Sequence, residues 1–89
     1  MDLDEQREWI ESYLLYLLLT YGNSEMLWEQ LVGAKSRCTS LDPMPRDIKY
    51  NLVNRLVRSQ FLERSSGGKF TWHISKKGLG FLGEKNGKD

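Results

Sequence analysis

In residues 52–64, LVNRLVRSQFLER, the spacing of apolar residues changes from that of a helix to that of a strand, and this change decides the fold. Up to Val57 the apolar residues recur at the spacing of one helix face, whereas Phe61–Arg64 has the composition of a short strand. The helix that ends here is predicted over Pro45–Gln60, because proline suits a first helical turn. Its inner face is apolar and consists of Ile48, Leu52, Val53, Leu56 and Val57.

Downstream of this strand, residues 65–68 (SSGG) predict a hairpin turn, and Lys69–Ile74 is predicted as the return strand. A period of two gives the return strand a packed face and a free face. The packed face consists of Phe70, Trp72 and Ile74, and the free face of Lys69, Thr71 and His73. Ser75 is expected to cap a short helix over Lys76–Leu82. One domain is therefore expected over residues 1–83, followed by a frayed tail at 84–89.

A first helix is predicted over Asp4–Tyr21, where apolar residues at helical spacing follow acidic residues in the first turn. Gly22 fits the end of this helix. The second half of the helix is apolar almost all round, because Tyr16, Leu18 and Leu19 lie off the inner stripe. These three residues are candidates for a homodimer interface, and burial in the monomer core is the alternative.

A second helix is predicted to begin at a cap formed by Asn23 or Ser24 and to run to about Ala34, with Leu27 and Leu31 on its inner face. The following segment, 35–44, is expected to be a loop, because Pro43 and Pro45 break a helix.

Charge is distributed unevenly along a chain whose net charge is only +1. Residues 1–34 carry seven acidic residues and one basic residue, whereas residues 35–89 carry twelve Lys or Arg and five acidic residues. The molecule is therefore expected to have a negative pole and a positive pole. Cys38 is the single cysteine, which excludes an internal disulfide and leaves a zinc site without thiolate partners.

The predicted order of helix, helix, helix, hairpin and short helix resembles the winged helix-turn-helix superfamily, especially the MarR-like and PadR-like transcriptional regulators. The resemblance rests on residues 52–64, on 66–70 (SGGKF), which are similar to a wing tip, and on 74–78 (ISKKG), which are similar to the strand-to-helix signature of the family. It implies an α+β, mainly α fold with a three-helix core, a two-stranded wing hairpin and a short C-terminal helix.

The resemblance also implies binding to double-stranded DNA, with the third helix in the major groove and the wing on the backbone or in the minor groove. The residues implied to face base edges are Arg46, Tyr50, Asn51 and Asn54. The residues implied to reach phosphates from the same helix are Lys49, Arg55 and Arg58. The wing candidates are Arg64, Lys69 and Thr71.

The chain departs from the family pattern at two places. The connection before the third helix is longer than usual, so Lys35, Ser36 and Arg37 either add a DNA contact or form a mobile loop. The long C-terminal helix through which many relatives dimerise is missing. A homodimer is therefore expected to use the first helix instead.

Catalysis is not expected, because His73 and Cys38 are the only residues of their types and no nucleophile, carboxylate pair or metal cluster is apparent. No cofactor or metal is expected. No secretion signal or membrane span is apparent, because the apolar run Tyr13–Leu19 is too short, so a cytoplasmic location without a membrane partner is expected. The functions left open are a sequence-specific regulator, an architectural or plasmid-partition protein that coats repeated sites, and a module that binds protein.

Overall fold

The computed structural model of the chain describes residues 6–22, 24–65 and 70–86, with side chains described through residue 83. Within these ranges the chain forms a small α+β fold that is mainly helical, as predicted. The elements in chain order are α1 (Arg7–Tyr21), β1 (Met26–Leu27), α2 (Trp28–Arg37), a 3-10 helix (Thr39–Leu41), α3 (Arg46–Arg58), β2 (Leu62–Arg64), β3 (Thr71–Ile74) and α4 (Lys76–Asn86).

The helix α1 forms the centre of the core. Its buried residues are Ile10, Tyr13, Leu14 and Leu17. The hydroxyl of Tyr13 donates a hydrogen bond of 2.7 Å to the carbonyl of Leu31 and so joins α1 to α2. Burial raises the pKa of the Tyr13 hydroxyl, which keeps it protonated as a donor. The predicted stop at Gly22 is confirmed, since this residue has φ of +64° and its N–H donates to Leu18.

The sheet has three antiparallel strands in the order β1, β3, β2. The predicted hairpin strands are confirmed for β2 and β3, although residues 66–68 of the predicted turn lie outside the described residues. The strand β1 was not predicted. Its two residues pair with the centre of the hairpin, Met26 opposite Trp72 and Leu27 opposite Thr71.

The predicted start of the second helix was wrong. The helix α2 begins at Trp28, and Leu27 before it has extended backbone, because this segment pairs with β3 instead of turning into the helix early. Ser24 therefore does not cap α2, and Asn23 lies outside the described residues. The side chain of Gln30 accepts the N–H of Leu27 at 2.8 Å and caps the helix start. Leu27 is exposed, contrary to its predicted place on the inner face.

The segment predicted as a loop at 35–44 is mostly structured. The helix α2 continues past Ala34 to Arg37, and a 3-10 helix follows. Cys38, Leu41 and Met44 are buried in the core. Their spacing of three residues matches the repeat of a 3-10 helix, so each turn of the connection places one apolar side chain inward. Pro43 and Pro45 both follow the 3-10 helix, so they do not interrupt it.

The helix α3 ends as the sequence predicts, close to Gln60, and its inner face is buried or packed against the core. Gln60 has φ of +68°. The N–H of Gln60 donates to Val57 at 3.1 Å, and the N–H of Phe61 donates to Leu56 at 2.9 Å. This pair of bonds is the Schellman arrangement, in which the residue with positive φ is usually glycine.

Replacing Gln60 with glycine is therefore expected to raise the free energy of unfolding by about 1 kcal/mol, because glycine adopts positive φ without the Cβ clash. Chemical denaturation measures this change, and Ser59→Gly is the matched control because Ser59 has an ordinary helical φ of −85°. We expect Ser59→Gly to be neutral or destabilising. A loss of stability in Gln60→Gly would contradict this account of the turn.

The predicted cap of the last helix is confirmed. The Ser75 hydroxyl accepts the N–H of Gly78 at 3.1 Å and donates to the carbonyl of Gln60, while the N–H of Ser75 donates to Phe61 at 3.0 Å. The cap of α4 is thus bonded to the turn that ends α3. The helix continues to Asn86, so residues 84–86, predicted to fray, are helical. Residues 87–89 lie outside the described residues.

Candidate nucleic-acid interface

The side of α3 opposite the core is exposed and mostly polar. Its exposed residues are Arg46, Asp47, Tyr50, Asn51, Asn54 and Arg58, and we call them the outer face of α3. Two further candidates on this helix, Lys49 and Arg55, are half-buried at its flanks. The structure therefore places the helix candidates on one continuous surface, because they share one 13-residue helix whose other side is anchored in the core.

The two asparagines of the outer face differ in their hydrogen bonds. The Nδ2 of Asn51 donates to the backbone carbonyl of Asp47 at 3.0 Å, one turn earlier in the helix. Within the described part of the chain, the amide of Asn54 makes no such bond. Recognition of adenine by asparagine uses the amide oxygen and the amide nitrogen together. Asn54 is therefore better prepared for such a contact than Asn51.

Tyr50 lies above a buried lysine that the sequence placed in a loop. The Tyr50 side chain is 75% exposed, whereas Lys35 in α2 is 8% exposed. The Nζ of Lys35 donates to the backbone carbonyl of Tyr50 at 3.1 Å and lies 5.1 Å from the centroid of its ring. Burial lowers the pKa of Lys35, and the positive charge of Lys49 lowers it further.

The mobile-loop alternative for residues 35–37 was wrong, because all three residues belong to α2. Ser36 and Arg37 are exposed. Arg37 is oriented by the hydroxyl of Tyr21, to which its Nη2 donates at 3.1 Å.

Lys49 makes an ion pair of 3.4 Å with Asp42. Exposed pairs of this kind are weak, so they compete poorly with a phosphate group.

In the predicted wing, the exposure of two side chains differs from what the period of two predicts. Arg64 is exposed, and its guanidinium lies 4.3 Å from the ring centroid of Phe70. Phe70, predicted to pack, is 73% exposed, and Thr71, predicted to be free for DNA, is 8% exposed. Thr71 lies on the central strand of the sheet, with Leu27 of β1 opposite it on one side and the N–H of Ser65 donating to its carbonyl at 2.8 Å on the other, so neighbouring chain flanks it on both sides. Lys69 lies outside the described residues.

His73 is held within the hairpin instead of standing free on its surface. Its Nδ1 lies 3.0 Å from the Ser65 hydroxyl, and its Nε2 lies 3.3 Å from a carboxylate oxygen of Glu63 on the neighbouring strand. Both partners are local, so this histidine stiffens the base of the hairpin. Across residues 6–22, 24–65 and 70–86, no group of three or more potential metal ligands is found.

The predicted dimer residues on α1 divide into two kinds. Leu19 is 79% exposed, whereas Tyr16 and Leu18 are half-buried and pack against the core. Leu15, one turn before Leu19, is also exposed, and sequence reasoning missed it. Its spacing of four residues from Leu19 was the available signal. These two leucines border a shallow groove beside Cys38.

The comparisons with known proteins provide no relatives. No protein-family model matches the chain, and no curated protein or solved structure gives a significant match. Among the described helices, none combines the length and the apolar character that a membrane crossing needs.

Proposed function

We propose that this chain is a winged helix-turn-helix domain that binds double-stranded DNA, with α3 in the major groove and the β2–β3 hairpin on the backbone or in the minor groove. The fold supports this proposal, because α2 packs against α3 and the hairpin follows α3 directly. The strand β1 pairs with the edge of β3 that β2 leaves free, and the chain continues from β1 directly into α2. The proposed domain covers residues 1–83.

The observation that carries the proposal is the outer face of α3. The helix bears four basic residues and a single acidic residue, Asp47, in its first turn, where an acid is favoured by the helix dipole. Its 13 residues extend about 20 Å at 1.5 Å per residue. The B-DNA major groove, about 12 Å wide, accommodates such a helix.

The side chains of α3 support recognition of a specific base sequence in addition to electrostatic attraction to the DNA backbone. Tyr50 and Asn54 point away from the core at the middle of the helix, where base edges are nearest. Arg46, Lys49, Arg55 and Arg58 lie toward the ends and flanks, where phosphates are nearest. We therefore favour a sequence-specific transcriptional regulator without catalytic activity or cofactor, acting in the cytoplasm.

Fluorescence anisotropy of the pure protein with random-sequence duplex DNA tests this proposal. We expect binding that weakens steeply between low and physiological salt, because phosphate contacts release counterions. Selection from a random duplex pool then separates a regulator from an architectural or partition-type protein, because the regulator enriches one site. Absence of binding at low salt would contradict DNA binding.

A protein-binding module is the second candidate function, and the exposed leucines of α1 favour it. Leu15 and Leu19 form an apolar surface on the acidic half of the chain. Leucine side chains offer no donors to phosphate, so this surface suits a protein partner better than DNA. The same surface also suits a second copy of this chain, which we propose as its occupant when the domain acts as a homodimer on a two-fold symmetric site.

Replacing Leu19 with glutamate is expected to convert a dimer into a monomer, because it places a charge in the apolar contact. Light scattering over a concentration series measures the mass. Val32→Glu is the matched control, since Val32 is an exposed apolar residue on α2. A monomeric wild type, or dissociation by Val32→Glu alone, would contradict the proposed dimer surface.

A further inference from the structure

Lys35 is a buried residue whose ammonium group is partly buried and has no counterion in the described part of the chain. It is 8% exposed, and no carboxylate lies within ion-pair distance among the described residues. Its hydrogen bond to the carbonyl of Tyr50 uses one of the three N–H donors of the ammonium group. Buried lysines are usually paired with an acid, because an unpaired buried charge is costly. An anion from outside the chain would offset this cost.

The position of Lys35 indicates where such an anion comes from. Among the described residues, the ammonium group contacts the carbonyl and the ring of Tyr50, and this ring belongs to the outer face of α3. The charge of Lys49 also acts on Lys35, and it is positive too. The C-terminal half of α2 and the N-terminal half of α3 thus bring two ammonium groups to one edge of the proposed DNA surface.

We propose that Lys35 binds a phosphate of the DNA backbone at the edge of α3, beneath the ring of Tyr50. The inference rests on the proposed function and adds a contact from α2 to those from α3 and the hairpin. The ring of Tyr50 covers the ammonium group in the free protein and is 75% exposed, so it has room to turn aside. A phosphate oxygen then accepts the N–H donors that Tyr50 leaves unused.

This contact has a consequence for recognition. Because the Lys35 ammonium is already bonded to the backbone of α3, a phosphate held there lies at a fixed distance from the outer face of α3. Phosphate contacts set the register of a protein on the duplex, and base contacts then read the sequence. Lys35 therefore sets the depth at which the middle of α3 meets the bases.

A purely structural role for Lys35 makes different predictions. If Lys35 only joins α2 to α3 through the Tyr50 carbonyl, its removal lowers stability and leaves the number of released counterions unchanged. If Lys35 is a phosphate ligand, its removal relieves an unpaired, partly buried charge, and the loss appears in DNA binding. The stability of the variant and the salt dependence of its DNA binding therefore distinguish the two roles.

The test compares wild type, Lys35→Met and Lys76→Met by thermal unfolding and by anisotropy with one duplex over a salt series. Methionine keeps the apolar stem of lysine and removes its charge. Lys76→Met changes the net charge equally, at an exposed position on α4 outside the proposed interface. For Lys35→Met we expect a melting temperature equal to or above that of wild type, binding weaker by about tenfold, and a salt slope smaller by about 0.9.

Three results would overturn the inference. A wild type that binds duplex with a steep salt slope, together with an unchanged slope in Lys35→Met, contradicts the phosphate contact and leaves the proposed function intact. An equal loss of slope in Lys76→Met shows that the effect is general and not local to Lys35. A wild type that binds no duplex at low salt contradicts the proposed function and this inference together.

Discussion

Replacing Gly78 with alanine is expected to lower the free energy of unfolding by about 3 kcal/mol, at the upper end of the range for overpacking. A Cβ at this position meets the carbonyl oxygen of Phe61 at 2.6 Å and a methyl group of Ile74 at 2.9 Å. The first obstacle is backbone, and it is fixed by the N–H of Ser75, which donates to the same carbonyl at 3.0 Å. The carbonyl of Phe61 therefore cannot shift away from the added methyl group without losing this hydrogen bond.

Thermal unfolding measures this effect, which amounts to a fall in melting temperature of about 12–24 °C for a domain of this size. Gly80→Ala is the matched control on the same helix, since a Cβ at Gly80 meets nothing within 4 Å. We expect Gly80→Ala to raise stability by about 0.5–1 kcal/mol, because alanine favours the helix. Similar effects of the two substitutions would contradict the close contact between α4 and the turn that ends α3.

Replacing Asn54 with alanine is expected to reduce discrimination at one or two base pairs by about 1–3 kcal/mol, which is about 5-fold to 150-fold. The reason is the two-bond contact with a base that the Asn54 amide is free to make. Stability is expected to change little, because Asn54 is exposed. Selection from a random duplex pool with wild type and variant, followed by anisotropy on the selected sites, measures the loss.

Arg58→Ala is the contrasting variant, because Arg58 lies at the end of α3, where we propose a phosphate contact. We expect it to weaken binding to all sequences and to reduce the salt slope by about 0.9. Asn51→Ala is expected to have a smaller effect on discrimination than Asn54→Ala, since Asn51 already donates to Asp47. Equal effects of Asn54→Ala and Arg58→Ala on all sequences would contradict the placement of α3 in the major groove.

The features that the sequence predicted correctly are local in the chain. The inner face of α3 follows from hydrophobic spacing, the end of α1 from Gly22, and the start of α4 from the cap formed by Ser75. Each depends on residues within a few positions of one another. A pattern of this kind is visible without knowledge of the rest of the molecule.

The features that the sequence did not predict depend on distant pairs. The strand β1 exists because Met26 and Leu27 pair with Trp72 and Thr71, and this pairing makes β3 the central strand of the sheet. A two-residue strand has too few positions to show a period of two. The burial of Lys35 similarly depends on α3 lying against α2, which composition alone does not indicate.

The central claim is that the outer face of α3 binds duplex DNA, and NMR titration of the isotope-labelled protein with a short duplex tests it most directly. We predict that the largest shifts of backbone amides occur in α3, with further shifts at Lys35 and Arg64 and small shifts in α1. Shifts concentrated around Leu15 and Leu19, with α3 unaffected, would contradict the claim.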